Sequence, residues 1–205
     1  MNDDQRSTIE SVRSALAENP GKKIQDIEVG KEISLAAVCV ILRPGSTNGL
    51  DVLMIKRRDL RSDPWSGQMA FPGGHYVKTD QDLRSTAFRE VLEETSINLR
   101  NCSMLGTLDE IIPGNRQIRV TPYVALAPGE IEVKINESEV AKYFWIPISF
   151  FSDSKKNRTT YSFERSGTKL TVPSYLFSGQ YVIWGMSYRI IVDFLAKAYP
   201  KKSLD

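Results

Sequence analysis

The run ISLAAVCVILRP, Ile33 to Pro44, carries no charge before Arg43 and is rich in β-branched residues. It reads as a buried strand, and a buried strand needs partners on its edges and cover on its faces. PGSTNG, Pro44 to Gly49, is a turn, and LDVLMIKR, Leu50 to Arg57, reads as the returning strand of a hairpin. RDLRSDPWSGQMAFPGG, Arg58 to Gly74, is dense in glycine, proline and aromatics and reads as an ordered loop.

Later segments add strands. SMLGTLDEII and IRVTPYVALAP supply one each, and IEVKINESEVAKYFWIPISFF should hold a strand, an acidic loop and an aromatic strand end. Residues 153–185 read as an excursion of short strands. Three helices are expected. The first runs from about Asp4 to Ala17, with Ile9, Val12, Ala15 and Leu16 at helical spacing. The second runs from Asp82 to Ile97, with Asp82 as its cap and Phe88, Leu92 and Thr95 opposite Glu90. The third begins near Met186 and stops at Pro200. Strands, then a helix, then strands and another helix make an α+β or mixed α/β order. The expected division is an N-terminal helix or arm over 1–33, one domain over 34–199 and a tail over 200–205.

A chain of 205 residues, 41% hydrophobic, is well supplied for such a core. A net charge of +2 gives no sign of a nucleic-acid groove or an anionic membrane partner. No apolar run reaches the roughly 18 residues of a membrane span, and the acidic N-terminus is unlike a secretory leader, so the expected location is cytoplasmic. Cys39 and Cys102 read as buried thiols of a reducing compartment. With His75 as the single histidine, a two-histidine zinc site is excluded and a Ser-His-Asp triad disfavoured. No phosphate-binding or dinucleotide glycine fingerprint is present.

REVLEET, Arg89 to Thr95, sets Glu90, Glu93 and Glu94 within one face of the second helix, since each residue advances about 100°. Like charges so placed repel by a few tenths of a kcal/mol per pair. The cluster is either a solvated face or a site for a hard divalent cation, which takes oxygen ligands. Arg89 can fix a carboxylate through paired donors, and FPGGH supplies at Gly73 and Gly74 either a plain turn or a carbonyl for the cation.

Taken together, GGHYVKTDQDLRSTAFREVLEETSI resembles the signature box of the Nudix hydrolases: Gly, five residues, Glu, seven residues, then Arg-Glu-apolar-x-Glu-Glu-x-Gly-apolar. Here Asp80 stands for the first Glu, eight residues separate it from Arg89, and Ser96 replaces the glycine. Arg57 and GQMAFPGG, and further on RVTPYVAL, NESEVAKYFWIP and YVIWGMSYRI in that order, are similar to segments of the coenzyme A pyrophosphatase branch. Arg58 in place of a small residue and a longer SDPWSG loop depart from it.

The resemblance implies a Nudix-type α/β/α sandwich with a mixed sheet and a loop-helix-loop motif. It implies hydrolysis of a small-molecule diphosphate with Mg²⁺ or Mn²⁺, splitting coenzyme A or acyl-CoA into a 3′-phosphorylated adenine nucleotide and a phosphopantetheine. Alternatives are ADP-ribose, a dinucleotide or another nucleoside diphosphate derivative, or a binding module that has lost hydrolysis. Glu90, Glu93, Glu94 and the carbonyl of Gly74 or Gly73 would hold the metal. Glu90, Arg89 and Glu139 would be catalytic, with Glu137 an alternative to Glu139 and Arg89 orienting a glutamate. Asp80 would be an outer group or a helix-start cap. Arg57, Arg61, Trp65 and Phe71 would bind substrate, Arg58 could join them, and Trp184 and Gly185 would serve the core. The family often pairs, which leaves a homodimer open.

Overall fold

The computed structural model describes residues 3–18, 20–23, 33–45, 49–60, 65–114, 118–165 and 167–199. The expected tail over 200–205, half of the PGSTNG turn, Arg61 and much of the 19–33 stretch lie outside the described residues.

The apolar run forms β1 (Ser34–Pro44), the axis of a seven-stranded mixed sheet. Along one edge it pairs in parallel with β6 (Ile118–Leu126), from Ser34↔Ile118 to Leu42↔Leu126. On its other edge β2 (Leu50–Arg57) pairs antiparallel only at the hairpin end, Leu42↔Val52 to Pro44↔Leu50. Beyond that point two short strands take over. β3 (Met69–Ala70) pairs with β2 at Ile55↔Ala70, and β4 (Gly73–His75) pairs with β1 at Val38↔Gly73 through Ala36↔His75. The loop expected over 58–74 thus contains a strand pair, because its backbone satisfies the edges that β1 and β2 leave open to each other. β5 (Ser103–Thr107) borders β6, and β7 (Val140–Pro147) borders β2.

The alternation of β1 explains why its sequence is apolar throughout. Ala36, Val38, Val40 and Leu42 belong to the larger core, with Ile9, Val12 and Leu16 of α1 (Asp3–Glu18) and Ile190, Ile191 and Phe194 of α5 (Gly185–Ala198). Cys39 and Ile41 point the other way, to Leu53, Ile97, Leu99, Ala125 and Val91 of α2 (Leu83–Thr95). Both faces are covered by helices, which is the α/β/α sandwich expected, and a one-residue slip in β1 would exchange its two linings. The N-terminal helix is packed into this core through its buried residues.

Three details differ from the sequence reading. Leu92 is 48% exposed, and α2 faces the core with Ala87, Val91 and Thr95 while Phe88 is only partly covered. Residues 131–136 form no strand; their amides at Lys134 and Asn136 donate to the carbonyls of Thr95 and Glu94 (both 3.0 Å), filling acceptors that a helix end leaves open. The ISFF stretch is helical, as α3 (Ile148–Ser152), followed by the short α4 (Ser154–Asn157). The excursion that follows is a separate antiparallel sheet of β8 (Arg158–Arg165), β9 (Thr168–Phe177) and β10 (Tyr181–Trp184), in the order β10-β9-β8.

Asp82 caps α2 as expected, accepting from the Ser85 amide at 2.7 Å and its hydroxyl at 2.8 Å. At the other end Ser96 sits in the left-handed region (φ 58°), donating its amide to Leu92 O and its hydroxyl to Lys134 O. Asp82→Ala is expected to cost about 1 kcal/mol and to lower the Tm by roughly 2–4 °C, measured by thermal denaturation.

Candidate active site

Helix α2 lies over β4, and its polar face is organised around Arg89. The guanidinium takes both oxygens of Asp80, Nε to Oδ1 and Nη2 to Oδ2, each at 2.9 Å. Nη1 reaches Glu90 at 2.8 Å and Glu93 at 3.2 Å, and Nη2 also donates to the His75 carbonyl at 3.0 Å. Asp80 is buried and receives further hydrogen bonds from the Thr86 hydroxyl (2.9 Å) and the Val77 amide (3.1 Å). The Arg89 contacts above all hold its carboxyl well below the usual range. Asp80 is therefore the anchor of Arg89, and the helix cap is Asp82.

The three glutamates occupy different environments. Glu93 is half exposed, Glu90 is largely covered, and Glu94 is 1% exposed. Burial pushes the Glu94 carboxyl up to about 8; the Gly73 amide (2.9 Å) and Arg57 (3.4 Å) counter this, while Glu90 and Glu139 add to it. Glu90 is raised chiefly by burial, against the pull of Arg89, with Glu93 and Glu139 adding.

The two glycines are demanded by contact. A Cβ on Gly74 would stand 2.5 Å from the Glu90 carboxyl carbon, so the absent side chain is the space that carboxylate fills. Gly73 has φ 146°, and a Cβ there would stand 2.3 Å from the Ala37 carbonyl oxygen. Arg57 ends β2 where the register with β7 shifts between Lys56 and Arg57, an irregularity of the kind that re-aims a side chain. The same end of β2 holds the acidic loop, since the Arg58 amide donates to Glu139 O at 2.7 Å and its guanidinium to Glu137 O. Glu139 is half buried and accepts from Asn136 Nδ2 at 3.2 Å, whereas Glu137 is exposed.

A cleft of about 760 Å³ opens beside this cluster. Gly73, Gly74 and Arg57, the neighbours of Glu90 and Glu94, line it with His75 and Trp65, and Ala36, Val38, Ile118 and Val120 of the sheet line it too. Phe71 contributes to the lining but is 4% exposed and packed in the larger core. The lining also includes Phe163, Trp184 and Met186, which the sequence reading did not place there. Their signal was an aromatic in each of β8 and β10, indistinguishable from core until the small sheet is seen against the cleft.

Arg89, the three glutamates and the two glycines thus come together as the sequence resemblance implies, with a cleft beside them. The NUDIX domain family model matches residues 33–163, more than half the chain, and the protein belongs to the Nudix family. It is a pyrophosphohydrolase acting on small-molecule diphosphates. Among curated relatives, a Photorhabdus laumondii protein described as "Uncharacterized Nudix hydrolase NudL" is 30% identical over 84% of this chain and 86% of its own length. The protein of the same description from Yersinia pestis is 34% identical over 74% of this chain and 72% of its own. A MutT/nudix family protein from Enterococcus faecalis shares the fold, with a TM-score of 0.56 at 19% identity over 83% of this chain and 64% of that one. No described helix is long and apolar enough to cross a membrane.

Two outcomes follow from this geometry. Asp80→Asn is expected to cost about 3 kcal/mol at neutral pH, because Arg89 loses a buried partner. The depressed Asp80 carboxyl contributes stability above its unfolded value, near 3.8, and that contribution fades as pH falls. The variant should accordingly show a flatter acid limb in a profile of Tm against pH. Gly74→Ala should displace Glu90 and lower kcat by about tenfold or more while the fold persists, as read by steady-state kinetics and circular dichroism.

Proposed function

We propose that this enzyme hydrolyses the diphosphate of coenzyme A or its acyl thioesters with one water, giving adenosine 3′,5′-bisphosphate and 4′-phosphopantetheine, or the acylated 4′-phosphopantetheine from a thioester, which together retain the three phosphates of the substrate. The chemistry in this reading is carried by buried Glu94, which is held by Gly73 and Arg57 of the cleft lining. A carboxylate held at 1% exposure beside two other acids is poorly compensated by Arg57 and one amide, and a divalent cation would complete the balance.

The donor set suits such an ion. It is all oxygen: Glu90, Glu93, Glu94 and the Gly74 carbonyl. Among the described residues no three acidic, histidine or cysteine groups converge on a metal position as the side chains stand. Glu90 and Glu93 instead share Arg89, and Glu93, half exposed, has room to turn inward. Mg²⁺ or Mn²⁺ bound there would neutralise the phosphate oxygens and acidify the attacking water. Arg89, fixed by Asp80, orients Glu90 and Glu93. Arg57, which lines the cleft and faces Glu94, meets the diphosphate. Glu139 takes the proton of the attacking water, as its loop is tied both to the end of β2 beside Arg57 and to the end of α2 at Glu94. Trp65, tilted 48° to the His75 ring at 6.2 Å, borders the same approach.

The choice of coenzyme A rests on the likeness of GQMAFPGG, RVTPYVAL, NESEVAKYFWIP and YVIWGMSYRI to that branch of the family. Purified protein incubated with Mg²⁺ or Mn²⁺ should cleave coenzyme A in preference to ADP-ribose, NADH and nucleoside triphosphates, with products identified by chromatography and mass. Preference for another member of the panel would discard coenzyme A and keep the chemistry. Glu94→Gln and Glu93→Gln should each lower kcat by at least about a hundredfold with the fold retained, the scale for losing one group that stabilises transition-state charge. Full activity in both would remove the metal assignment.

A further inference from the structure

Each polar atom of Asn136 is engaged either by the acidic loop or by α2. Its amide donates to Glu94 O at 3.0 Å, and its carbonyl accepts from the amides of Glu139 (3.0 Å) and Val140 (2.8 Å). Its side-chain oxygen accepts from the Ser138 amide at 3.1 Å and from the Ser138 hydroxyl at 2.7 Å. Its side-chain nitrogen donates to Glu139 Oε1 at 3.2 Å.

Turning the chain at Ser138 does not by itself call for asparagine. That turn needs an acceptor on a short side chain, and aspartate supplies one as well. What the carboxamide adds is a donor on the same side chain, and the donor goes to Glu139. A carboxylate here would turn the backbone equally well and repel the Glu139 carboxylate instead of holding it.

The main chain around Glu139 is fixed from the other side. Val140 stands opposite Arg57 at the register shift between β2 and β7, and the Arg58 amide donates to Glu139 O at 2.7 Å. Arg57 in turn reaches Glu94 at 3.4 Å. β2 therefore sets where Glu139 stands, and Asn136 sets where its carboxylate points. The same asparagine, through its amide, is tied to the last turn of α2 at the residue whose side chain is the most deeply buried of the three glutamates there.

We propose that Asn136 is a positioning residue for Glu139: its Nδ2 holds one carboxylate oxygen and leaves the other to take the water proton, while its amide keeps the loop in step with Glu94. This rests on the reading of Glu139 as the base and deepens it, since Asn136 acts through Glu139 and has no contact of its own with substrate.

A double-mutant cycle tests this, with kcat and KM measured for wild type, Asn136→Asp, Glu139→Gln and the double variant on coenzyme A, or on whichever diphosphate the enzyme cleaves. Asn136→Asp keeps the acceptor for Ser138 and removes only the donor to Glu139. It should leave the Tm and KM close to wild type and lower kcat by about tenfold or more, the scale for a reacting group moved off its geometry. In the Glu139→Gln background it should cost nothing further, because the carboxylate it directs is gone. Asn136→Ser, whose hydroxyl still caps the turn but is too short to reach Glu139, takes its place if thermal denaturation shows Asn136→Asp to be unfolded. If Glu139→Gln lowers kcat while the Asn136 variant leaves it unchanged, or lowers it by the same factor in both backgrounds, the positioning role is overturned and the base stands. Full activity of Glu139→Gln overturns the base and the positioning role together.

Discussion

The paired hydrogen bonds between Asp80 and Arg89 are the interaction on which the site depends. Arg89 has more acceptors than it has nitrogens, and without Asp80 its position would be set by the two glutamates it is meant to arrange. Asp80 is in turn held by a helix hydroxyl and a loop amide, so the order passes from loop to arginine to carboxylates. The direction matters. Hydrogen bonds from Arg89, Thr86 and Val77 lower the Asp80 carboxyl, whereas burial raises those of Glu90 and Glu94.

Seen this way, acids with opposite tasks sit within one short stretch. Asp82 satisfies the start of α2, Asp80 fixes the arginine, and Glu94 is carried into a place where its charge is costly. The end of the helix is tied as firmly as its start, through the backbone of Lys134 and Asn136, and that tie brings the loop of Glu139 to the glutamates.

The sandwich was legible because β1 is apolar on both faces and the hairpin and helices around it have strong periodicity. The Arg89-Glu90 and Glu93-Glu94 pairs were legible because the spacing within a helix is local. What spacing could not convey was depth. Leu92 and Glu94 are two residues apart, and the apolar one is outside while the charged one is inside, since packing against β1 and β4 decides which side of α2 faces in. Ser96 adopts the left-handed turn a glycine would take more easily because its hydroxyl finds the Lys134 carbonyl, a partner far along the chain. Phe163 and Trp184 were hidden for a similar reason: they meet across an intervening strand.

Gly74 touches Glu90 on one side and the cleft on the other. Only a bare stretch of main chain separates the acids beneath α2 from whatever occupies the space against β1 and β6. At that point the sheet is one backbone thick, and the strand that Gly74 occupies is shared by the acids on one side and the cleft on the other. Any side chain there would take the space of the Glu90 carboxylate, so the position of an acid is written into the strand beside it as an absence.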